Sequence, residues 1–147
     1  MGSASDDVHN TSMMGQNGRP EKDDWFERVC LRLAEIDNLA QGWDGYGSDR
    51  LSKATVNFAA MLLATVWSEA IAVPFPAITP MSNGAIMIEW CSPTHELTLE
   101  IKSPNDVDVL FEELDSKNIE EFHITSNFLK ISEALEKSVR LAHAAVA

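Results

Sequence analysis

The chain has little of several features that would narrow its function. It contains only two cysteines, Cys30 and Cys91, which lie in a helical and a strand pattern without the short spacing of a metal site. We therefore expect two reduced, structural thiols in a domain that folds without disulfides or metals. Polar residues interrupt the most apolar stretch, 54–73, so no run of about 18 apolar residues is available for a membrane span.

The N-terminal residues are not predicted to form a signal peptide. Residues 1–20 are polar and contain much glycine, serine and asparagine, without the basic-then-apolar order of an export signal. We interpret them as a disordered leader and predict a cytoplasmic location. Residues 21–147 are predicted to form one domain, because about 125 residues is a usual size for a single core.

Basic residues are scarce. The chain has 11 Lys and Arg against 23 Asp and Glu, which gives a net charge of −12. A field of this sign repels phosphate backbones and anionic lipids and attracts basic proteins. We therefore expect no direct binding to nucleic acid or membranes, and we expect a basic protein or protein complex as the partner.

The first half of the chain is predicted to be helical. Apolar residues recur at helical spacing from Lys22 to Leu39, and again from the capping residue Ser52 to Ala70. The second of these segments has the broader apolar surface and should be the more buried. Three prolines then predict an extended connection, because proline lacks a backbone donor and disfavours helix in the preceding residue. These prolines are Pro74, Pro76 and Pro80.

The second half is predicted to form a sheet. From residue 86 to 124 apolar and polar residues alternate, which predicts four short strands with turns at Ser92-Pro93-Thr94 and Ser103-Pro104-Asn105. Short connections are typical of an antiparallel meander, and a last helix is expected after the cap Ser126. One sheet face is apolar and must be covered by helices. We therefore predict a two-layer α+β sandwich of the order α-α-β-β-β-β-α.

The residues that alternate with the apolar strand positions are mostly acidic. When the apolar side chains point toward the helices, the intervening carboxylates must share the opposite face. These candidate partner-binding residues are Glu89, Glu96, Glu100, Asp106, Asp108, Glu112 and Glu121. Ordinary surfaces mix both charges, and the scarcity of lysine here favours a docking surface for a basic protein. A solvated polar face fits the same pattern, whereas a metal site fits it less well because no calcium-type loop gathers the carboxylates.

A glycine-rich segment between the first two helices is the most distinctive local pattern. Its sequence is Gly42-Trp43-Asp44-Gly45-Tyr46-Gly47. The glycines permit backbone angles that other residues avoid, and the pattern favours a tight connection in which Trp43 enters the core and Asp44 bonds to local amides. Trp43, Asp44 and Tyr46 are also candidate partner-binding residues, because exposed aromatic side chains are frequent binding anchors.

No arrangement typical of catalysis is present. No motif links the four histidines to a nucleophilic serine or cysteine, and the sequence Gly-x-Ser-x-Gly does not occur. The histidines are His9, His95, His123 and His143. His123 lies in a strand among carboxylates, where a solvated position suits it better than the role of a metal ligand or base. We predict that the protein is not an enzyme, and we expect no catalytic residue, cofactor or bound metal.

Several of these features occur together in a known pattern. The glycine-rich segment precedes an apolar helix, a proline-rich approach follows, and Asn83-Gly84 leads into Ile86-x-Ile88-Glu89-Trp90. Over about residues 30–102 the chain resembles an uncharacterised group of small acidic bacterial and phage proteins with the pattern NWDGYGA…PxP…GGIxxEW. The departures from this pattern are Gln41-Gly42, Ser48 and Asn83-Gly84-Ala85. The resemblance supports the architecture and implies no activity, while the accessory and mobile operons of the group imply antitoxin-like or inhibitor roles.

The main hypothesis is a non-enzymatic acidic protein that occupies a basic surface of a partner. It would act like an antitoxin, or like a phage inhibitor of the anti-CRISPR kind that blocks a nucleic-acid-handling defence complex. The alternative is a structural or assembly subunit that forms a homodimer through surplus apolar surface. Candidates for that surface are Leu110, Leu114 and Ile119, and the C-terminal Ala142, Ala144 and Ala145.

Overall fold

Two helices precede a sheet, and a third helix follows it. The computed structural model describes residues 20–69, 75–126, 128 and 130–137. The elements are α1 (Pro20–Asp37), α2 (Lys53–Glu69), β1 (Ala77–Pro80), β2 (Ile86–Cys91), β3 (His95–Ser103), β4 (Asp106–Glu113) and β5 (Asn118–Ile124). The last helix, α3, is described over residues 130–137. The predicted α+β class is confirmed, with five strands in place of four.

The sheet is an antiparallel meander, as the short turns predict. Its spatial order is β1-β2-β3-β4-β5, and every neighbouring pair is antiparallel. The amide of Ser92 donates to the carbonyl of His95 at 2.8 Å and closes the β2–β3 turn. In the β3–β4 turn, Asn105 adopts a φ of 61°, a left-handed conformation that asparagine tolerates better than most residues.

The additional strand, β1, lies in the segment that we predicted to be only an extended connection. Ala77 pairs with Glu89 and Pro80 pairs with Ile86. A proline cannot donate to a ladder, but at a sheet edge one side of each strand has no ladder to join. The predicted order α-α-β-β-β-β-α was therefore wrong in one respect, because the prolines exclude a central strand and still permit an edge strand.

The core lies between the helices and the inner face of the sheet. The helix α2 contributes Val56, Leu62, Leu63 and Val66, which are almost fully buried, as expected for the more apolar of the first two helices. The inner sheet face adds Ile86, Ile88, Trp90, Leu97, Leu99, Ile101, Val107, Val109 and Phe111, and α1 and α3 add Trp25, Val29, Leu33, Ile36, Ile131 and Leu135. The part of the predicted last helix beyond residue 137 lies outside the described residues.

The start of α2 is capped as predicted. The Oγ of Ser52 accepts a hydrogen bond from the amide of Thr55 at 3.0 Å, which satisfies one of the unpaired donors of the first turn. A second contact joins the helices, since Lys53 Nζ lies 2.7 Å from Asp37 Oδ2 at the end of α1. The connection between α1 and α2 is thus held at both ends.

The two cysteines are free, and both are exposed. Cys30 lies on the solvent side of α1, and Cys91 is the last residue of β2. The prediction of reduced thiols in a domain without disulfides stays a prediction, and the exposure of both residues shows that neither thiol packs in the core. The period of α1 carries its buried stripe through Val29 and Leu33, and Cys30 lies beside that stripe.

Candidate functional site

The seven predicted carboxylates lie on one side of the sheet. The strands alternate between buried positions that face the helices and half-buried or exposed positions that face away. We call the second set the outer face. It comprises Met87, Glu89, Cys91, Glu96, Thr98, Glu100, Lys102, Asp106, Asp108, Leu110, Glu112, Ile119, Glu121 and His123.

The strand register arranges the outer face in three rows from β2 to β5. The rows are Met87-Glu100-Asp108-His123, Glu89-Thr98-Leu110-Glu121 and Cys91-Glu96-Glu112-Ile119. Each row contains uncharged side chains beside its carboxylates. The outer face is therefore a mixed surface in which apolar and acidic groups are neighbours.

Two pairs of carboxylates stand directly opposite each other. Glu96 pairs with Glu112, and Glu100 pairs with Asp108, across the β3–β4 ladder. Like charges at opposed positions destabilise a sheet. The second pair lies beside a cation, because Lys102 Nζ is 2.7 Å from Asp108 Oδ2. In the described part of the chain, no ion pair relieves the first.

His123 bridges two carboxylates at one end of the outer face. Its Nδ1 lies 2.7 Å from Asp108 Oδ1, and its Nε2 lies 3.3 Å from Asp106 Oδ1. An imidazole can donate from both nitrogens only when it is protonated. Simultaneous donation to both carboxylates therefore belongs to the charged form of His123. Lys102 and His123 are the two side chains with nitrogen donors that contact carboxylates on this otherwise acidic part of the outer face.

The same contacts shift two pKa values. Hydrogen bonds from Lys102 and then from His123 hold the pKa of Asp108 below its ordinary value of 3.8. The bond to Asp108, reinforced by the charges of Asp108, Asp106 and Glu100, raises the pKa of Lys102 above 10.5. Both groups are therefore charged near neutral pH.

A groove of about 570 Å³ crosses the outer face from β2 to β5. Its uncharged lining side chains include Met87, Thr98 and Leu110, which come from three adjacent strands. The charged and titratable residues that line it are Glu100, Asp108, Glu121 and His123. Sequence periodicity identified the carboxylates as partner-binding candidates but not Met87 and Thr98, and Leu110 was predicted only as part of a homodimer surface. The signal that identifies them is their shared parity with the carboxylates along each strand.

The glycine-rich connection is organised mainly by its own contacts. Trp43 is half-buried, packs against the core and donates from Nε1 to the carbonyl of Asp49 at 3.0 Å. Asp44 Oδ1 accepts from the amides of Tyr46 at 2.8 Å and Ser48 at 3.3 Å. The Tyr46 bond is the main cause that lowers the pKa of Asp44, followed by the Ser48 hydroxyl. Gly45, with a φ of 83°, allows the tight turn between them.

The connection does not join the outer face. It links the two helices, which cover the opposite side of the sheet. Its end reaches the turn between β1 and β2, where the Asp49 amide donates to the Ser82 carbonyl at 2.9 Å. Tyr46 is 92% exposed and is the one candidate of this segment whose side chain is presented to solvent. Trp43 and Asp44 are largely used within the fold.

The other described histidine, His95, has a structural environment. It is buried at the start of β3, its ring stacks on Phe111 with 5.4 Å between centroids, and its Nδ1 lies 2.6 Å from Thr94 Oγ1. Ser132 Oγ in α3 is buried without a hydrogen-bond partner. No hydrogen bond joins a histidine to Ser132 or a cysteine within the described residues.

The residues of the homodimer alternative are dispersed. Leu110 lies in the groove, Leu114 is half-buried after β4, and Ile119 is 56% exposed on β5. The C-terminal residues Ala142, Ala144 and Ala145 lie outside the described residues. The apolar patch nearest to this hypothesis is therefore part of the outer face itself.

The chain matches no family model, no curated protein and no solved structure. The resemblance to the group with the NWDGYGA pattern therefore stays a prediction. Among the described residues, no three His, Cys, Asp or Glu side chains are arranged to hold a metal ion. No helix in the same part of the chain has both the length and the apolar character that a membrane crossing requires.

Proposed function

We propose that the protein is a non-enzymatic binding protein whose outer face occupies a basic surface of a partner protein. The observation that carries this proposal is the groove, where Glu100, Asp108 and Glu121 lie near the apolar Met87 and Leu110. Specific protein interfaces combine a desolvated apolar centre with complementary charge around it. The groove is suited to a partner that presents apolar side chains among Lys and Arg.

The opposed carboxylates support the same proposal. Glu96 stands directly opposite Glu112 with no ion pair to either among the described residues, and like charges at opposed positions lower the stability of a sheet. A lysine or arginine from a partner that approached between the strands would relieve this repulsion. Part of the binding free energy would then come from removing the repulsion between these carboxylates, which destabilises the unbound protein.

The net charge defines the class of partner. A charge of −12 steers basic proteins toward the chain over the range of a Debye length. Proteins that handle nucleic acid expose basic grooves, and a carboxylate array competes there with phosphates. We propose an antitoxin-like protein or a phage-type inhibitor of a nucleic-acid-handling defence complex, a role that the resemblance to the NWDGYGA group also implies.

The test is affinity capture of the partner from a lysate of the source cell. Wild-type protein and a variant with reversed charges on the outer face are used as baits. The variant Glu100→Lys/Asp106→Lys/Asp108→Lys is compared with wild type at about 0.05 M and about 0.5 M salt. We expect the wild type to retain a basic, nucleic-acid-handling protein at low salt, to release it at high salt, and the variant to retain none. Competition by a nucleic acid duplex for the captured protein then tests the inhibitor role.

A matched variant separates the outer face from net charge. Asp24, Glu27 and Glu133 are exposed on the helices, so Asp24→Lys/Glu27→Lys/Glu133→Lys changes the total charge equally without altering the outer face. This control should capture the same protein as wild type, and circular dichroism should show that both triple variants are folded. Equal capture by the outer-face variant and wild type would contradict the proposal.

Homo-oligomerisation is the second candidate, favoured by the exposure of Ile119, which lies on the outer face diagonally across the β4–β5 ladder from Leu110. Self-association there would bring two sets of carboxylates together, so it should be weak at low salt and strengthen as salt screens the repulsion. Sedimentation velocity over a range of concentrations and salt tests it. A monomer under all conditions would exclude this candidate.

A further inference from the structure

The two edges of the sheet differ in the backbone groups that they expose. A hydrogen bond at the end of the β3–β4 hairpin shows which residues of β4 point their backbone groups toward β3. There the Leu114 amide donates to the Thr94 carbonyl at 2.8 Å. In an antiparallel strand the N–H and C=O of one residue point to the same side, and the side alternates along the strand. Even-numbered residues of β4 therefore face β3, and odd-numbered residues such as Val109 and Phe111 face β5.

The register carries this alternation into β5. Val109 pairs with Phe122 and Phe111 pairs with Glu120, so the backbone groups of Phe122 and Glu120 point toward β4. The N–H and C=O groups of the three intervening residues point to the open edge. These residues are Ile119, Glu121 and His123. No described residue outside β4 makes a backbone hydrogen bond to β5.

The opposite edge, β1, is protected. Ser92 donates to His95, so by the same alternation Ala77 and Thr79 point toward β2, and Ile78 and Pro80 point outward. The outward carbonyl of Ile78 accepts from Arg32 Nε at 2.9 Å, and Pro80 has no N–H. Short length, proline and a covering side chain are established means of blocking an edge. β5 has seven residues and no proline, and within the described residues no side chain bonds to its outward N–H and C=O groups.

The side chains on β5 select the kind of strand that can pair there. Adjacent carboxylates, Glu120 and Glu121, project to opposite faces, and each disfavours the approach of another acidic strand. A second copy of this chain, with its charge of −12, is therefore a poor occupant. A strand with Lys or Arg opposite both carboxylates and an apolar residue opposite the exposed Ile119 is complementary. The side chains of the added strand that project on the outer face would also border the groove, because Glu121 and His123 of β5 line it.

We propose that the partner adds a basic β-strand to the open edge of β5, pairing with the backbone of Ile119, Glu121 and His123. This inference rests on the proposed function, because it names the segment of the basic partner that binds and how it does so. Strand addition of this type takes affinity from main-chain hydrogen bonds and specificity from alternate side chains. The carboxylates then have two roles, since they discourage self-pairing and recruit the basic strand.

The probe is the peptide acetyl-Thr-Lys-Val-Lys-Lys-Ile-Thr-amide, which in antiparallel register places lysines opposite Glu120 and Glu121 and isoleucine opposite Ile119. Amide hydrogen exchange of the protein is followed by NMR. We expect the peptide to slow exchange at Ile119, Glu121 and His123 by about tenfold or more, with little change at Glu120 and Phe122, which already bond to β4. Protection of these three alternate amides is a readout that simple charge attraction does not produce.

Matched controls isolate the backbone from the charge. Peptides N-methylated at the three residues opposite Ile119, Glu121 and His123 should not bind, whereas methylation at the intervening residues should be tolerated. In the protein, Glu121→Pro removes an outward donor and should weaken binding about three- to tenfold beyond Glu121→Gln, which removes only the charge. Thermal unfolding checks that both variants are folded, and the methylated peptides give the same information without altering the protein.

The outcomes separate this inference from the proposed function. Peptide binding that shifts the resonances of Met87 and Leu110 without protecting the edge amides would overturn strand addition and leave the outer face as the binding surface. Failure of the peptide to bind would also overturn it. Capture of the cellular partner by Glu121→Pro, together with its loss in the Glu100→Lys/Asp106→Lys/Asp108→Lys variant, would again reject the strand and retain the proposed function.

Discussion

Arg32 in α1 donates from Nε to the main-chain oxygen of Ile78 in β1 at 2.9 Å, across 46 positions of sequence. The contact fastens the first helix to β1, one of the two edge strands of the sheet. It also occupies an outward-facing carbonyl of β1, so the same side chain holds the strand in place and blocks it as an edge. The guanidinium makes a second bond, from Nη1 to Glu35 at 3.0 Å on the exposed surface.

Arg32→Met should detach this edge. Methionine is unbranched and reaches about as far as Nε of arginine but has no donor, and the unpaired Ile78 carbonyl should lower the free energy of unfolding by about 1 kcal/mol. Urea unfolding measures the loss, and faster amide exchange in β1 locates it. Glu35→Gln is the control, since it removes only the exposed ion pair and should change stability by less than about 0.5 kcal/mol. Equal effects of the two variants would contradict the role assigned to the Ile78 bond.

Trp43→Phe tests whether Trp43 is structural. Phenylalanine keeps an aromatic ring against the core but cannot donate to the Asp49 carbonyl, so we expect a loss of about 1 kcal/mol in the free energy of unfolding. Tyr46→Phe, at a side chain that is 92% exposed, should leave stability unchanged within about 0.5 kcal/mol. Chemical denaturation of both variants decides the point. A Trp43→Phe protein as stable as wild type would return Trp43 to the set of candidate binding residues.

Asp108→Asn should destabilise the protein in a pH-dependent way. Because folding lowers the pKa of Asp108, its charged form contributes stability above its unfolded pKa, and this contribution is lost as pH falls through the folded pKa. Folding raises the pKa of Lys102, so the contribution of that group persists below pH 10.5 and is lost as pH rises through the folded pKa. The variant should therefore be less stable than wild type at pH 7, and the difference should vanish below the folded pKa of Asp108.

Urea unfolding at several pH values between about pH 2 and pH 7 measures this difference. Asp115→Asn is the control, because Asp115 is exposed in the turn before β5 and has no ion pair among the described residues. A difference between Asp108→Asn and wild type that does not change with pH would mean that the lowered pKa of Asp108 is not its origin.

Leu99→Ala tests the centre of the core. Leu99 is fully buried in the middle strand of the sheet, and its truncation should lower the free energy of unfolding by about 2–5 kcal/mol. Its neighbour Thr98 faces the groove on the other side of β3, so Thr98→Ala should cost less than about 1 kcal/mol. Thermal and urea unfolding measure both. Similar losses for the two variants would contradict the assignment of the inner and outer faces.

Much of the fold followed from local pattern. The change from a helical period to a period of two separated the helices from the sheet, and Ser52 marked the start of α2 through its own hydrogen bond to Thr55. The strand β1 was not predicted, because a proline shows only that a backbone donor is missing. It does not show whether a strand has a neighbour on one side, as at an edge, or on both sides. Pairing of Ala77 with Glu89 depends on where β2 lies, which is a property of the whole sheet.

For the candidate site, alternation along each strand was sufficient to assign the carboxylates to one face, since successive side chains of a strand must point to opposite sides. Alternation contains no information about register. Only the tertiary structure placed Glu96 opposite Glu112, brought Lys102 and His123 to Asp108, and formed the groove around Met87 and Leu110. Only the tertiary structure also distinguished the two edges, because the blocking of β1 requires Arg32 from a distant helix, and contacts between distant segments exist only once the chain has packed.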